Sequence, residues 1–498
     1  MTDLPSMFGG AGAAQYAPWA LLGITAPVAA LVLKPWDRKG NGATWGGRAV
    51  EKQLRAPQEL AERQDRLIAG RGTVSKKLVA AQPCLSGIAF GVPGSGKTMG
   101  LLLPNALEWA GPLVITTTKA SDLDLIYARR AADGKPVHVV APGGIPGRDT
   151  AHWSPVDYCK TEEDADRMAK WLAEAAASAN NPDSQTWLEQ AQPIVKGLLL
   201  AARVSGQGIE GFRRWLRLGK DAADTVEGIL TDGGFPDVAD EYASPWRRLH
   251  DDGVGSVQLT LNVIARVYTD KAVRETSSRS DFDVAEMLEQ GGTLAIVAST
   301  SDSKRFAPLI TALIASVIHA AEAKYARTGK ALSPALGLLI DEAGNLLRYP
   351  ELPNILTTGR GMGIVLLTIW HDLSQLRTSL GDDKANTVFS ASPMRMLLPG
   401  VADEATLSYF NTMLGRAEVK KATVTRGSDG TQSSTTSTSE HDLAPIHALQ
   451  QLDDFTAVVQ YHNKRPIRVS LRNAEGDKDL VALTALAQGR STKELTYA

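Results

Sequence analysis

Short apolar runs recur along the chain at about residues 86–90, 112–117, 136–141, 293–299, 335–341, 363–370, 394–398 and 455–461. Runs of this length without polar alternation predict strands buried on both faces, as in the middle of a parallel sheet. Most of the segments between them carry the 3.6-residue period of helices, so the predicted class is α/β with a mostly parallel sheet. Between Lys160 and Gln290 the strand pattern stops. Helices are predicted there near 163–178, 185–204, 221–231 and 254–268, which makes 160–290 an all-helical insertion.

The start of the chain has a different pattern. No charged residue lies between Asp3 and Lys34, and the apolar part runs from Ala11 to Leu33. That is enough for one transmembrane helix at about 20 residues per span. Tyr16 and Trp36 would sit about 30 Å apart along such a helix, one ring near each interface. A cleavable signal is disfavoured because no Lys or Arg precedes the apolar run. Residues 34–77 carry eleven Lys or Arg and five acids. The excess of positive charge predicts that everything after Leu33 lies in the cytoplasm of a single-pass protein of the plasma membrane.

Composition narrows the classes further. Lys plus Arg total 53 and Asp plus Glu total 55 over 498 residues, a net charge of −2. That excludes a uniformly basic nucleic-acid coat and an acidic tail protein. Apolar residues at 43% and charged residues at 22% exclude wholesale disorder. Cys84 and Cys159 are the two cysteines and lie far apart, so neither a disulfide framework nor a thiolate zinc site is expected. The stretch 160–290 holds fifteen basic and twenty-three acidic residues. Its field favours a protein partner over DNA. The basic cluster Phe212-Arg-Arg-Trp215-Leu-Arg217 within it reads as one face of an amphipathic helix.

The chemistry is concentrated in one motif and its partners downstream. After the first strand come Gly91, Val92, Pro93, Gly94, Ser95, Gly96, Lys97 and Thr98, and then a helical segment. This is G-x-x-x-x-G-K-T in its strand–loop–helix setting. The glycines let backbone N–H groups wrap phosphates, Lys97 neutralises the β/γ oxygens, and the Thr98 hydroxyl ligates Mg²⁺; the nucleotide expected is ATP. The apolar run 335–340 ends in Asp341 and Glu342. Asp341 is expected in the Mg²⁺ shell and Glu342 beside the attacking water. Arg360 stands in Thr-Gly-Arg-Gly, read as an exposed loop before the next strand. That place suits a guanidinium reaching a γ-phosphate on a neighbouring subunit. His371, in His-Asp-Leu-Ser-Gln, falls at that strand's carboxyl end, where nucleotide-sensing groups belong.

Several stretches together resemble the coupling proteins of type IV secretion (the TraG/TraD class), membrane-anchored ATPases of conjugation. They are G-V-P-G-S-G-K-T at 91–98, L-V-I-T-T-T-K at 113–119, W-S-P at 153–155 and D-E-A-G-N-L at 341–346. T-G-R-G at 358–361, H-D-L-S-Q-L at 371–376 and A-D-E-A-T at 402–406 complete the series. The Ala and Gly content and the form W-H-D-L-S-Q resemble the actinobacterial branch. The resemblance implies a RecA-like P-loop NTPase with an all-alpha inserted domain, working as a homo-hexamer. Its implied partners are DNA, single-stranded and carried with a relaxase, together with relaxosome proteins and channel subunits. It also makes Arg360 a trans-acting arginine finger. Two departures stand out: His371 occupies a position the family usually fills with Gln, and Thr117-Thr118-Lys119-Ala120 replaces D-P-K-G.

The expected organisation is an anchor over 1–36, a basic juxtamembrane segment over 37–80 and a nucleotide-binding domain in two parts, 81–159 and 291–475. The helical insertion 160–290 separates those parts, and a tail covers 476–498. Residues 428–439 contain nine Ser or Thr in twelve, so 427–440 reads as a flexible polar loop. The expected function is a hexameric ATPase that recruits the relaxosome and drives conjugative DNA transfer through a secretion channel. Two alternatives are a chromosome-segregation or export motor (FtsK/HerA-like) and a nucleotide-gated scaffold that does not hydrolyse.

Overall fold

The computed structural model describes residues 42–176, 183–426 and 432–487. The apolar stretch expected to form the anchor, residues 1–36, lies outside the described residues. The chain divides into two compact units.

The larger unit is built on an eleven-stranded sheet. Its strands are β1 (Ile68–Gly72), β2 (Leu78–Ala80), β3 (Gly87–Phe90), β4 (Leu113–Thr117), β5 (Val137–Val140) and β6 (Thr293–Val297). They continue with β7 (Leu336–Ile340), β8 (Ile364–Trp370), β9 (Met394–Leu397), β12 (Thr456–Tyr461) and β13 (Ile467–Ser470). The order across the sheet is β2-β1-β13-β12-β9-β3-β8-β7-β4-β6-β5. From β9 to β5 all neighbours run parallel, and from β9 outward to β2 they alternate. Every residue of β3, β4, β6, β7 and β8 is buried, as their unbroken apolar runs require.

One consequence of this order places the site. β8 lies between β3 and β7, so three adjacent carboxyl ends carry the 91–98 loop, His371 and the Asp341–Glu342 pair.

Between β5 and β6 the described residues form helices and no strand, including Glu162–Ala176, Asp183–Val204, Gly208–Leu218, Pro236–Arg248 and Asp251–Val267. In Gly208–Leu218, Phe212, Trp215 and Leu216 are buried while Arg214 and Arg217 face solvent, the amphipathic arrangement the sequence implied. Among the described residues one helix, Ser303–Thr328, is long and apolar enough to cross a membrane. Within this fold it is a core helix, with 78% of its most apolar stretch buried.

The structure differs from the sequence reading in four places. Part of the stretch 37–80 joins the sheet, as β1 and β2, where Ile68, Ala69, Leu78 and Val79 are buried. Arg360 sits in the last turn of a helix, Leu352–Met362, and not on a loop. Gly359 and Gly361 accept helical geometry, and the chain leaves the helix at Gly363, whose φ of +75° is the left-handed conformation glycine adopts freely. In the tail, Lys478–Ala487 is a helix with Leu480 buried.

The fourth difference is the Ser/Thr-rich segment. From residue 432 on it forms most of β11 (Gln432–Asp442), paired antiparallel along its length with β10 (Arg416–Arg426), from Arg416↔Asp442 to Arg426↔Gln432. This hairpin belongs to the smaller unit, which takes in residues 42–44 and Leu414–Leu443. Threonine is β-branched and favours extended backbone, which a reading based on polarity alone misses.

Candidate active site

The loop after β3 turns twice through left-handed backbone, with φ of +86° at Gly94 and +84° at Gly96. A side chain at either position would be strained, so the glycines are required by the turn itself. The first helical turn, Lys97–Leu102, is wound more widely than an α-helix, and Lys97 is almost fully buried. Its ammonium pairs with Glu342 Oε1 and lies 3.7 Å from Asp341 Oδ1. Beside it, Thr98 Oγ1 donates to Asp341 Oδ2 across 2.7 Å.

Asp341 and Glu342 follow β7 directly. The Asp341 backbone is pinned to the sheet by Thr116 Oγ1, which donates to its carbonyl at 2.9 Å. Burial pushes the Asp341 carboxyl up, against the pull of Lys97 and Thr98. Glu342 has a φ of +51°, uncommon for a residue with a β-carbon. That conformation turns its carboxylate back between two elements. Oε1 meets Lys97, and Oε2 lies 2.8 Å from His371 Nε2, a close contact off the line of a good hydrogen bond, and 3.2 Å from Asn345 Nδ2. Burial pushes this carboxyl up as well, but His371 and Lys97 outweigh it and hold it at about 2.

His371 is held through its backbone: its N–H donates to Gln375 Oε1 at 2.9 Å. Asp372 caps the helix Leu373–Leu380 by accepting from Gln375 N at 2.6 Å. That helix is tied in turn to the Ala402-Asp-Glu-Ala-Thr406 stretch. Ser374 Oγ donates to Asp403 Oδ1 (2.8 Å), Thr406 Oγ1 donates to Asp403 Oδ2 (2.6 Å), and Leu373 N donates to Thr406 Oγ1 (2.8 Å). The partnership of Asp403 with Ser374 is a feature the sequence reading did not find. Its one local signal was Asp403 three residues before Thr406, a capping spacing.

Lys97, Thr98, Asp341, Glu342 and His371 therefore converge, as the motifs implied. Arg360 does not join them. It stands before β8, at the opposite edge of the sheet, and the six steps of that strand at ~3.3 Å each separate it from its own chain's site by about 20 Å. Lys119, the residue left of the altered D-P-K-G stretch, is exposed, and the neighbouring Thr117 side chain turns to Asp122 at 2.5 Å.

Residues 51–471 match the family model described as type IV secretory system, conjugative DNA transfer. The chain belongs to that family. It is 22% identical over 353 residues to the conjugal transfer protein TraG of Agrobacterium fabrum, covering 67% of this chain and 51% of TraG. With the VirD4 protein of the same organism it shares 23% over 353 residues, 64% of this chain and 48% of VirD4. The chain thus spans about half the length of these relatives. Among solved structures, the bacterial conjugative coupling protein TrwBΔN70 matches with a TM-score of 0.65 at 17% identity, over 88% of this chain and 93% of that one. TrwB in complex with ADP and Mg²⁺ matches with a TM-score of 0.63 at 18% identity, over 88% and 95%. The likeness shows a TrwB-like α/β fold with a mostly parallel sheet.

Proposed function

We propose that this family member is a membrane-anchored, hexameric ATPase that couples DNA, single-stranded and bound to its relaxase, to a type IV secretion channel. The observation that carries this reading is the convergence of Lys97, Thr98, Asp341, Glu342 and His371 on three adjacent strand ends.

The residues present fit Mg²⁺ and a nucleoside triphosphate. A hydroxyl and a buried carboxylate, 2.7 Å apart, form an all-oxygen donor pair of the hard kind that Mg²⁺ prefers. Ser95 Oγ is buried without a partner, facing a loop whose Gly94 has open space on its side-chain face. Thr98 and Asp341 would hold the cation, which supplies charge neutralisation at the β- and γ-oxygens.

In turnover, Lys97 exchanges Glu342 for the phosphates, and residues 91–98 hold the triphosphate by backbone N–H groups. Glu342, ionised throughout the neutral range, is then free to orient water and accept its proton as the water oxygen attacks the γ-phosphorus. The bond from that phosphorus to the β,γ-bridging oxygen breaks, and ADP leaves with the electron pair. His371 stays beside Glu342 and senses the γ-phosphate. Arg360 reaches the γ-phosphate of a neighbouring subunit, since its own lies out of range. The helices between β5 and β6 form an inserted domain that docks relaxosome proteins. The family match supports DNA as the cargo, the distance of Arg360 from its own chain's site supports the ring, and the apolar stretch within 1–36 supports the anchor.

A mating assay tests this reading. Donor cells with Lys97→Ala in the full chain should lose DNA transfer while the protein stays in the membrane fraction. Wild-type transfer by that variant would refute it.

A further inference from the structure

The amino edge of the sheet, opposite the nucleotide loop, gathers four cations that form no ion pair among the described residues. Four segments supply them: the residues before β1, the end of the helix before β8, the start of β9 and the turn after β12. The turn Tyr461-His462-Asn463-Lys464 is closed by Lys464 N donating to Tyr461 O at 2.9 Å, with His462 at a φ of +45°. Gln460 Nε2 clamps it by donating to His462 O (3.1 Å) and Lys464 O (2.8 Å). Pro393 O, just before β9, accepts from His462 N at 2.9 Å.

Arg360, Arg395 and Lys464 stand close enough to His462 for their charges, after burial, to push its imidazole down. Arg66 and Arg360 act in the same way on Tyr461. Arg395 donates only to carbonyls, those of Phe389 and Ser390 at 2.8 Å each, and Arg66 donates to Ala81 O at 3.2 Å. Among the described residues, none of Arg66, Arg360, Arg395 and Lys464 pairs with a carboxylate. Arg472, by contrast, is neutralised by Glu108 and Asp477. Asp65 lies nearby, acting on Cys84 together with Arg360 and accepting from Ala335 N at 2.6 Å, but four cations and a histidine outnumber it and leave a field for an anion.

The anion cannot come from this chain's own phosphate loop, about 20 Å away across β8. Resting on the reading of Arg360 as a trans residue, we propose that this edge receives the triphosphate held by a second copy of the chain. In that arrangement Lys464, the half-exposed last residue of the clamped turn, is a second trans cation beside Arg360. The turn's backbone is held by its hydrogen bonds, so the contact needs subunit approach and no refolding.

The test uses the full chain in detergent, at concentrations where wild type is assembled. Lys464→Ala should lower ATP turnover about tenfold or more. Lys464→Arg, which keeps the charge, should retain most of it. Binding of a fluorescent ATP analogue to the variant's own loop should be unchanged. Mixing Lys464→Ala with Lys97→Ala should recover turnover, because some interfaces then pair an intact Lys97 with an intact Lys464. The proposal falls if Lys464→Ala turns over ATP like wild type, or if mixing recovers nothing. It falls equally if the variant loses DNA binding while keeping DNA-free turnover, which would assign the edge to nucleic acid. Arg360→Ala, run in parallel, separates the two failures. If mixing rescues Arg360→Ala while Lys464→Ala behaves as wild type, the trans reading stands and this inference alone is wrong. If Arg360→Ala is inactive and beyond rescue, the trans reading itself fails.

Discussion

Thr98 and Asp341 are 243 positions apart in sequence, and their side chains meet at 2.7 Å across the ends of β3 and β7. On the proposed reading this hydroxyl and this buried carboxylate would hold Mg²⁺ together. Thr98→Ala should raise the Mg²⁺ concentration needed for half-maximal turnover by about tenfold or more, since one of two protein contacts to the ion's shell is lost. Asp341→Asn should do the same more severely. A Mg²⁺ titration of ATP turnover checks both.

Glu342→Gln should bind ATP and hydrolyse it at least about 10²-fold more slowly, because the water loses its proton acceptor while the side chain keeps its shape. Rapid-quench measurement of the chemical step, beside equilibrium nucleotide binding, reads the two effects separately. Loss of binding would instead make Glu342 a structural partner of Lys97.

Arg360→Ala and Lys97→Ala should each be inactive alone and partly active when mixed. An arginine finger typically contributes ~10³–10⁵ in rate, so even a minority of intact interfaces stands above either parent. Turnover of the mixed sample against the parents at equal total protein decides it.

Asp403 joins two segments that sequence alone left separate. Burial raises its carboxyl, but Thr406, Ser374 and the Thr406 N–H bring it below the ordinary value of 3.8. A carboxyl depressed in the folded state adds stability above its unfolded value, and that stability drains away as pH falls through the folded one. Asp403→Asn should therefore be less stable than wild type at pH 7, with the gap closing below about pH 4. Thermal midpoints of both proteins from pH 7 to pH 3 give the comparison.

The parallel half of the sheet was legible because β3, β4, β6, β7 and β8 are buried on both faces, which writes unbroken apolar runs into the chain. The antiparallel flank was not. β1 reads Ile-Ala-Gly-Arg-Gly and β2 is three residues long, so neither supplies a run or a period. In β11 the side chains are nearly all small and polar, and pairing with β10 is visible only in three dimensions. The phosphate loop, Asp341 and Glu342 were legible because their chemistry needs those residue types at fixed spacing. The cation edge around Lys464 was hidden because its members, Arg66, Arg360, Arg395 and Lys464, are spread across 398 positions and brought together only by the fold.

Steady-state ATP hydrolysis by the purified full chain, with and without single-stranded DNA, decides whether this site drives a DNA motor. Turnover should require Mg²⁺, rise with DNA and be abolished by Lys97→Ala. Nucleotide binding with a hydrolysis rate equal to that of Lys97→Ala, whether or not DNA is present, would contradict a motor role.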